Sequence, residues 1–106
     1  MANSYFQFKQ FTIQQDRCAM KVCTDACVFG AFVAEYLASQ KINNCLDIGT
    51  GTGLLSLMLA QKNDMGMDTV EINTEGYLQA KENIENSIYK NKISIHNQTI
   101  LEFDNN

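Results

Sequence analysis

The sequence predicts an α/β fold, a parallel sheet flanked by helices and preceded by a short N-terminal β segment. Three observations carry this. From residue 24 on, segments of helical period alternate with short apolar runs. A turn with three glycines, Gly49 to Gly53, joins one such run to the helix after it. The chain has 106 residues, 45% apolar and 19% charged, which suits one globular domain or part of one and argues against disorder.

Residues 5–13, YFQFKQFTI, alternate imperfectly between aromatic or branched and polar side chains. They read as one or two short strands, with Phe6, Phe8, Phe11 and Ile13 as packing residues. Thr24-Asp25 offers an N-cap for a helix to about Ser39. Its apolar stripe is Phe29, Phe32, Val33, Tyr36 and Leu37, at helical spacing. Asn44 to Ile48 is a buried strand. Leu54 to Lys62 is apolar almost all round except Ser56, hence a well-buried helix. Met67 to Ile72 is the second strand, with Glu71 near its C-terminal end. Asn73 or Thr74 caps a helix to about Ser87, whose apolar face is Tyr77, Ile84 and Ile88. Lys92 to His96 is the third strand, and a new element starts over Thr99 to Phe103.

Right-handed crossovers place the three strands side by side, with the Asn44–Ile48 strand at one edge. In complete doubly wound sheets that first strand is central. An unpaired parallel edge is rarely tolerated, so the sequence reads as the first half of a domain.

No apolar run approaches the roughly 18–20 residues that cross a bilayer. Residues 1–10 show no charged n-region followed by an apolar one, so a cytoplasmic setting is expected. The cysteines are spaced C-x4-C-x3-C-x17-C, at Cys18, Cys23, Cys27 and Cys45. That lacks the close pairs of zinc sites, so reduced, mostly buried thiols are expected and no metal. The net charge is −4, with +1 over residues 1–25 and −5 over the rest. An acidic chain does not advertise nucleic-acid binding, and any polyanion would meet the first 25 residues sooner.

The sharpest motif is Leu46-Asp47-Ile48-Gly49-Thr50-Gly51-Thr52-Gly53-Leu54. Glycines let the backbone take positive φ and let a ligand approach without a Cβ in the way. The Rossmann-like turns that hold dinucleotides usually read G-x-G-x-x-G, with a pyrophosphate on the helix end. Here the spacing is G-x-G-x-G, with a carboxylate two positions before the first glycine. Asp47 would repel a pyrophosphate and suit an ammonium group. Glu71 follows Gly49 by 22 residues, where a carboxylate accepts from two ribose hydroxyls. A ligand with ribose, adenine and a charged amino-acid tail, but no phosphate, is S-adenosylmethionine. Either carboxylate alone is better explained as an ordinary strand end; together, in this context, they favour the cofactor.

At this point the chain resembles the class I S-adenosylmethionine-dependent methyltransferases. Within them it resembles the bacterial tRNA1(Val) (adenine-37-N6)-methyltransferases. The narrower likeness rests on Phe8-Lys9-Gln10-Phe11, on Gln15-Asp16-Arg17-Cys18-Ala19-Met20-Lys21-Val22, and on Thr24-Asp25 and Gly30. It continues through Cys45 to Gly49 and Leu54 to Gln61, so it covers nearly the whole chain. The resemblance implies a cofactor site in which Asp47, Gly49, Gly51 and Gly53 line the methionine end. Glu71 would hold the ribose hydroxyls and Ile72 would lie against the adenine. Lys21, Thr24 and Asp25 would stand where the family's segment before the first strand covers the cofactor; a solvated lysine and a helix cap are their alternatives. Residues 1–23 would then be a substrate-side segment, and 24–106 part of the cofactor-binding domain.

Two departures stand out. Relatives often carry an acidic residue after the third strand for the adenine amino group, and here that place falls on Thr99, after Asn97 and Gln98. Cys23 stands where glycine is common. The chain also has no proline, so the Asn-Pro-Pro-aromatic loop that holds the target amine in these enzymes is not in it. No catalytic residue is therefore expected among these 106, and the chain alone is expected to lack transfer activity. Transfer to adenine N6 in tRNA is the activity the resemblance implies. The alternatives are transfer to a protein glutamine or another nucleic-acid amine, a non-catalytic module that self-associates through its sheet edge, and a dehydrogenase, which Asp47 disfavours.

Overall fold

The computed structural model describes residues 5–17 and 23–104. Strands β1 (Tyr5–Gln7) and β2 (Thr12–Gln14) form an antiparallel hairpin with Tyr5 opposite Gln14. The Phe8 and Phe11 rings stack at 4.8 Å across its turn, and Phe11 and Ile13 enter the core.

Helix α1 (Thr24–Ala38) corrects two expectations. Its N-cap is Cys23, in extended conformation and without a side-chain cap bond. Thr24 is already helical, so its hydroxyl is not the cap. Nor is the whole predicted stripe the buried face: Val33 and Leu37 pack against the core, but Phe29, Phe32 and Tyr36 are 58, 69 and 57% exposed. The helix instead turns Gly30 and Ala34 inward. A Cβ at Gly30 would come within 2.5 Å of Met58 Sδ, so α1 meets its neighbour through small residues, at a distance the aromatic face would prevent.

The remaining elements are β3 (Asn44–Ile48), α2 (Leu54–Lys62), β4 (Gly66–Val70), α3 (Thr74–Glu85), β5 (Ile93–His96) and α4 (Ile100–Asp104). The three strands from β3 on are parallel in the order β3-β4-β5, with β3 at the edge as expected. Ile48 pairs with Val70, and Val70 with His96. Parallel register divides the sheet into two faces. Cys45, Met67 and Ile93 point to the core with Leu57, Met58, Ala60 and Ile84. On the opposite face Leu46 and Ile48 stand exposed. Helix α2 is buried almost all round, as its sequence predicts.

Two boundaries differ from expectation. Strand β4 ends at Val70, so Glu71 and Ile72 lie just beyond the sheet. Helix α3 is capped by Asn73, whose side chain accepts from Gly76 N–H at 2.8 Å, but ends at Glu85 and leaves Ile88 exposed. Its buried face is Gly76, Gln79, Ala80, Asn83 and Ile84, so two carboxamides replace apolar positions.

Candidate functional site

The β3–α2 turn lies at the carboxyl ends of two adjoining parallel strands, where α/β sheets bind their ligands. Gly49 and Gly51 have φ of +74° and +57°, a region side-chain-bearing residues avoid. A Cβ at either would meet no atom within 4 Å, so the turn faces open space there. Most of its N–H groups are nevertheless committed to the protein. Gly49 and Thr50 donate to Val70 O at 2.8 and 3.3 Å, Gly53 donates to Thr50 O at 3.0 Å, and Gly51 donates to Glu71 Oε1 at 2.8 Å. A phosphate needs such donors free. This turn offers shape and acceptors instead.

The acceptors are the two carboxylates. Asp47, the fourth residue of β3, is 8% exposed. Its Oδ2 accepts from Thr50 Oγ at 2.9 Å and Ser56 Oγ at 2.7 Å. Two hydroxyl donors on one oxygen hold the carboxylate and leave Oδ1 for a cation. Ser56 is fully buried and bonds Asp47, which explains a polar residue amid the apolar run of α2. Ser56→Ala is expected to cost about 1–2 kcal/mol of stability, read from urea unfolding, because it removes a buried charge-assisted hydrogen bond.

Glu71 bridges the turn to α3: Oε2 accepts Asn73 N–H at 3.0 Å while Oε1 holds Gly51. A carboxylate has about four acceptor positions, so two remain for hydroxyl groups. The residues present therefore fit a ribose diol. Ile72 follows, 69% exposed, an apolar face beside the carboxylate. Asn97 fixes this corner by donating to Glu71 O at 2.9 Å and Ile72 O at 3.4 Å. Thr99 is differently employed. Its Oγ accepts Glu102 N–H at 3.1 Å and its own N–H donates to Glu102 Oε1 at 2.8 Å, a capping box that starts α4. These bonds hold the Glu102 carboxyl below its usual range. The cap is thus present above the ordinary carboxylate pKa and is lost as pH falls through the depressed one.

Thr24 and Asp25 sit exposed on the first turn of α1, with no hydrogen bond to the turn among the described residues. Lys21 lies outside the described residues. Burial first, then Cys23 and Asp47 respectively, pushes the thiols of Cys27 and Cys45 up, away from the reactive thiolate. Among the described residues no three His, Cys, Asp or Glu are grouped to hold a metal ion.

Sequence reasoning missed Asn83 and Gln79. Asn83 Nδ2 donates to Thr52 O in the glycine turn at 2.8 Å. The signal was there in the helical spacing: both amides fall on the Gly76–Ala80–Ile84 face, where a polar residue needs a partner.

Residues 20–104 match the family model described as Methyltransferase small domain. The chain belongs to that family. As a methyltransferase small domain it is 52% identical, over 103 residues, to a protein of Cytophaga hutchinsonii named tRNA1(Val) (adenine(37)-N6)-methyltransferase. It is 53% identical over 102 residues to a protein of that name from Dyadobacter fermentans. These matches take in 97% and 95% of this chain but 42% and 41% of the relatives. The chain thus spans less than half their length. Among solved structures it matches a SAM-dependent methyltransferase from Agrobacterium tumefaciens with TM-score 0.75 and 14% identity, over 97% of this chain and 35% of that one. An O-methyltransferase from Bacillus cereus in complex with SAH matches with TM-score 0.65 and 25% identity, over 82% of this chain and 38% of the other. The family and these folds bear out the α/β reading and the methyltransferase resemblance.

Proposed function

We propose that this chain is the S-adenosylmethionine-binding part of a tRNA adenine-N6 methyltransferase. The observation that carries the reading is the pair of carboxylates around a turn most of whose N–H groups are already spent. Asp47 Oδ1 takes the ammonium of the cofactor's amino-acid end. The turn from Gly49 to Gly53 gives that end room. Glu71 takes the two ribose hydroxyls, and Ile72 covers one face of the adenine. Lys21, Thr24 and Asp25 belong to the segment that serves the cofactor from before β3, and residues 1–23 to the substrate side. When bound, the cofactor supplies a methyl group on a sulfonium, open to in-line attack by an amine.

The names of the relatives support tRNA as the substrate, in a protein longer than this chain. The adenine amine is a poor nucleophile because its lone pair is delocalised into the ring, so catalysis needs groups that hold it in line. With no proline, these 106 residues hold no Asn-Pro-Pro-aromatic loop. Incubated with tritium-labelled cofactor and unmodified tRNA, they are expected to give counts no higher than the protein-free blank. No described helix is long and apolar enough to cross a membrane.

Calorimetric titration of S-adenosylhomocysteine tests the reading. Binding is the expected result; binding of NAD in its place would overturn it.

Assembly follows from a separate observation. Among the described residues β3 pairs on one side only, and Phe29, Phe32, Tyr36, Leu46 and Ile48 are exposed. We propose that this edge and face self-associate in the isolated chain. Sedimentation is expected to show concentration-dependent association, weakened by Phe32→Lys. The same substitution should change stability by no more than about 0.5 kcal/mol, because the side chain is mostly in water.

A further inference from the structure

Helix α3 holds two carboxamides where an apolar face is expected. Asn83 is 2% exposed and Gln79 is fully buried. Asn83 spends every polar atom it has. Its Oδ1 accepts Gln14 N–H at 2.8 Å, and its Nδ2 donates to Gln14 O at 2.9 Å and to Thr52 O at 2.8 Å. Toward Gln14 it acts as a neighbouring strand would, pairing both backbone groups of one residue. Toward Thr52 it grips the glycine turn between Gly51 and Gly53. One turn of helix earlier, Gln79 Oε1 accepts Arg17 N–H at 3.1 Å. Gln79 Nε2 has no partner among the described residues.

With one recorded bond among the described residues, this buried amide adds little to stability, and a methionine of similar size would fill the same space. Arg17 is exposed, so water could replace Gln79 on its N–H. What Gln79 supplies is position. With Asn83 it fixes residues 14 and 17, the outgoing end of the hairpin, to the helix that begins beside Glu71. The same helix, through Asn83, holds the turn around which Asp47 and Glu71 are arranged.

We infer that Gln79 and Asn83 are positioning residues that couple docking of the N-terminal hairpin to cofactor binding. The hairpin is then a working part of the cofactor site. The inference rests on the cofactor reading above. Coupling free energy is reciprocal: if docking tightens cofactor binding, the cofactor must tighten docking by the same factor.

The test uses Gln79→Met, with S-adenosylhomocysteine as ligand and trypsin cleavage after Arg17 as the measure of docking. Thermal unfolding should stay near the wild-type midpoint, since methionine fills the same space and leaves the exposed Arg17 N–H to water. Cleavage after Arg17 should quicken, and affinity for S-adenosylhomocysteine should fall, each by roughly three- to tenfold, the size of one hydrogen bond. In the wild type, saturating ligand should slow that cleavage by a matching factor. A purely structural role would lower the midpoint and leave the affinity unchanged, which overturns the coupling. So does wild-type cleavage that ignores the ligand. Glu71→Ala separates the two levels: weakened binding in Glu71→Ala with wild-type binding in Gln79→Met removes this inference alone, whereas a wild type that does not bind the ligand removes the cofactor reading and this inference together.

Discussion

Replacing Glu71 with alanine is expected to weaken S-adenosylhomocysteine binding by roughly a hundredfold or more. The carboxylate serves both sides of the site. It accepts from Gly51 and Asn73 N–H groups, and in the proposed complex from two ribose hydroxyls. Hydrogen bonds to a charged group contribute about 1.5–3 kcal/mol each, so loss of two removes at least about 3 kcal/mol. Glu71→Gln keeps an acceptor and loses charge, and should fall between. Calorimetry gives the affinities. A ligand without the ribose 2′-hydroxyl should lose much affinity against the wild type and little against Glu71→Ala, because contacting groups do not add. Equal losses in both proteins would place the ribose away from Glu71.

The largest effect on stability is expected from Asn83→Leu. The two side chains are alike in shape, so packing is nearly retained and the change reads the hydrogen bonds. Three are lost, two to Gln14 and one to Thr52. Gln14 is half-buried and can recruit water, but Thr52 is buried and its carbonyl is left unpaired. A buried unpaired group costs about 1–3 kcal/mol, and the lost bonds to Gln14 add about 1 kcal/mol each. The sum is about 3–5 kcal/mol, a fall of roughly 12 °C or more in melting temperature for a domain of this size. Asn86→Leu, one residue past the end of the same helix and exposed, is the control and should shift it little. Thermal circular dichroism of the three proteins decides; equal midpoints would show that the amide does not hold the turn.

These two residues also show how far the sequence could be read. The place of Glu71 beside the turn was legible because it depends on chain distance. A strand of fixed rise, a glycine turn and one helix bring position 71 next to the turn whatever else the protein does. Asp47 was legible for the same reason. Asn83 was not, because its partners, Gln14 and Thr52, lie 69 and 31 residues away and are backbone groups, which every residue type carries. Thr99 was assigned to the adenine by position along the chain, yet Glu102 three residues on engages it as a helix cap. Local pairing of that kind competes with any long-range role.

Helix α1 marks the same limit from the packing side. Periodicity located its apolar stripe at Phe29, Phe32, Val33, Tyr36 and Leu37; the helix itself formed where expected, but only Val33 and Leu37 of the stripe pack on the core. Which face turned inward depended on the neighbour. Met58 sits against Gly30, and the small-residue seam set the approach of the two helices.

By itself, then, the sequence determined the alternation of strands and helices, the parallel order of the sheet, and the strand–turn–helix unit with its two carboxylates. Each follows from periodicity, handedness or short-range spacing, properties a chain carries without knowing its neighbours. Tertiary structure decided which helix face is buried and that most of the turn's N–H groups are spent inside the protein. It also decided that one buried amide, Asn83, fastens the hairpin to the glycine turn. Those outcomes depend on backbone groups and surfaces meeting across dozens of residues, and no local pattern in the sequence specifies which will meet.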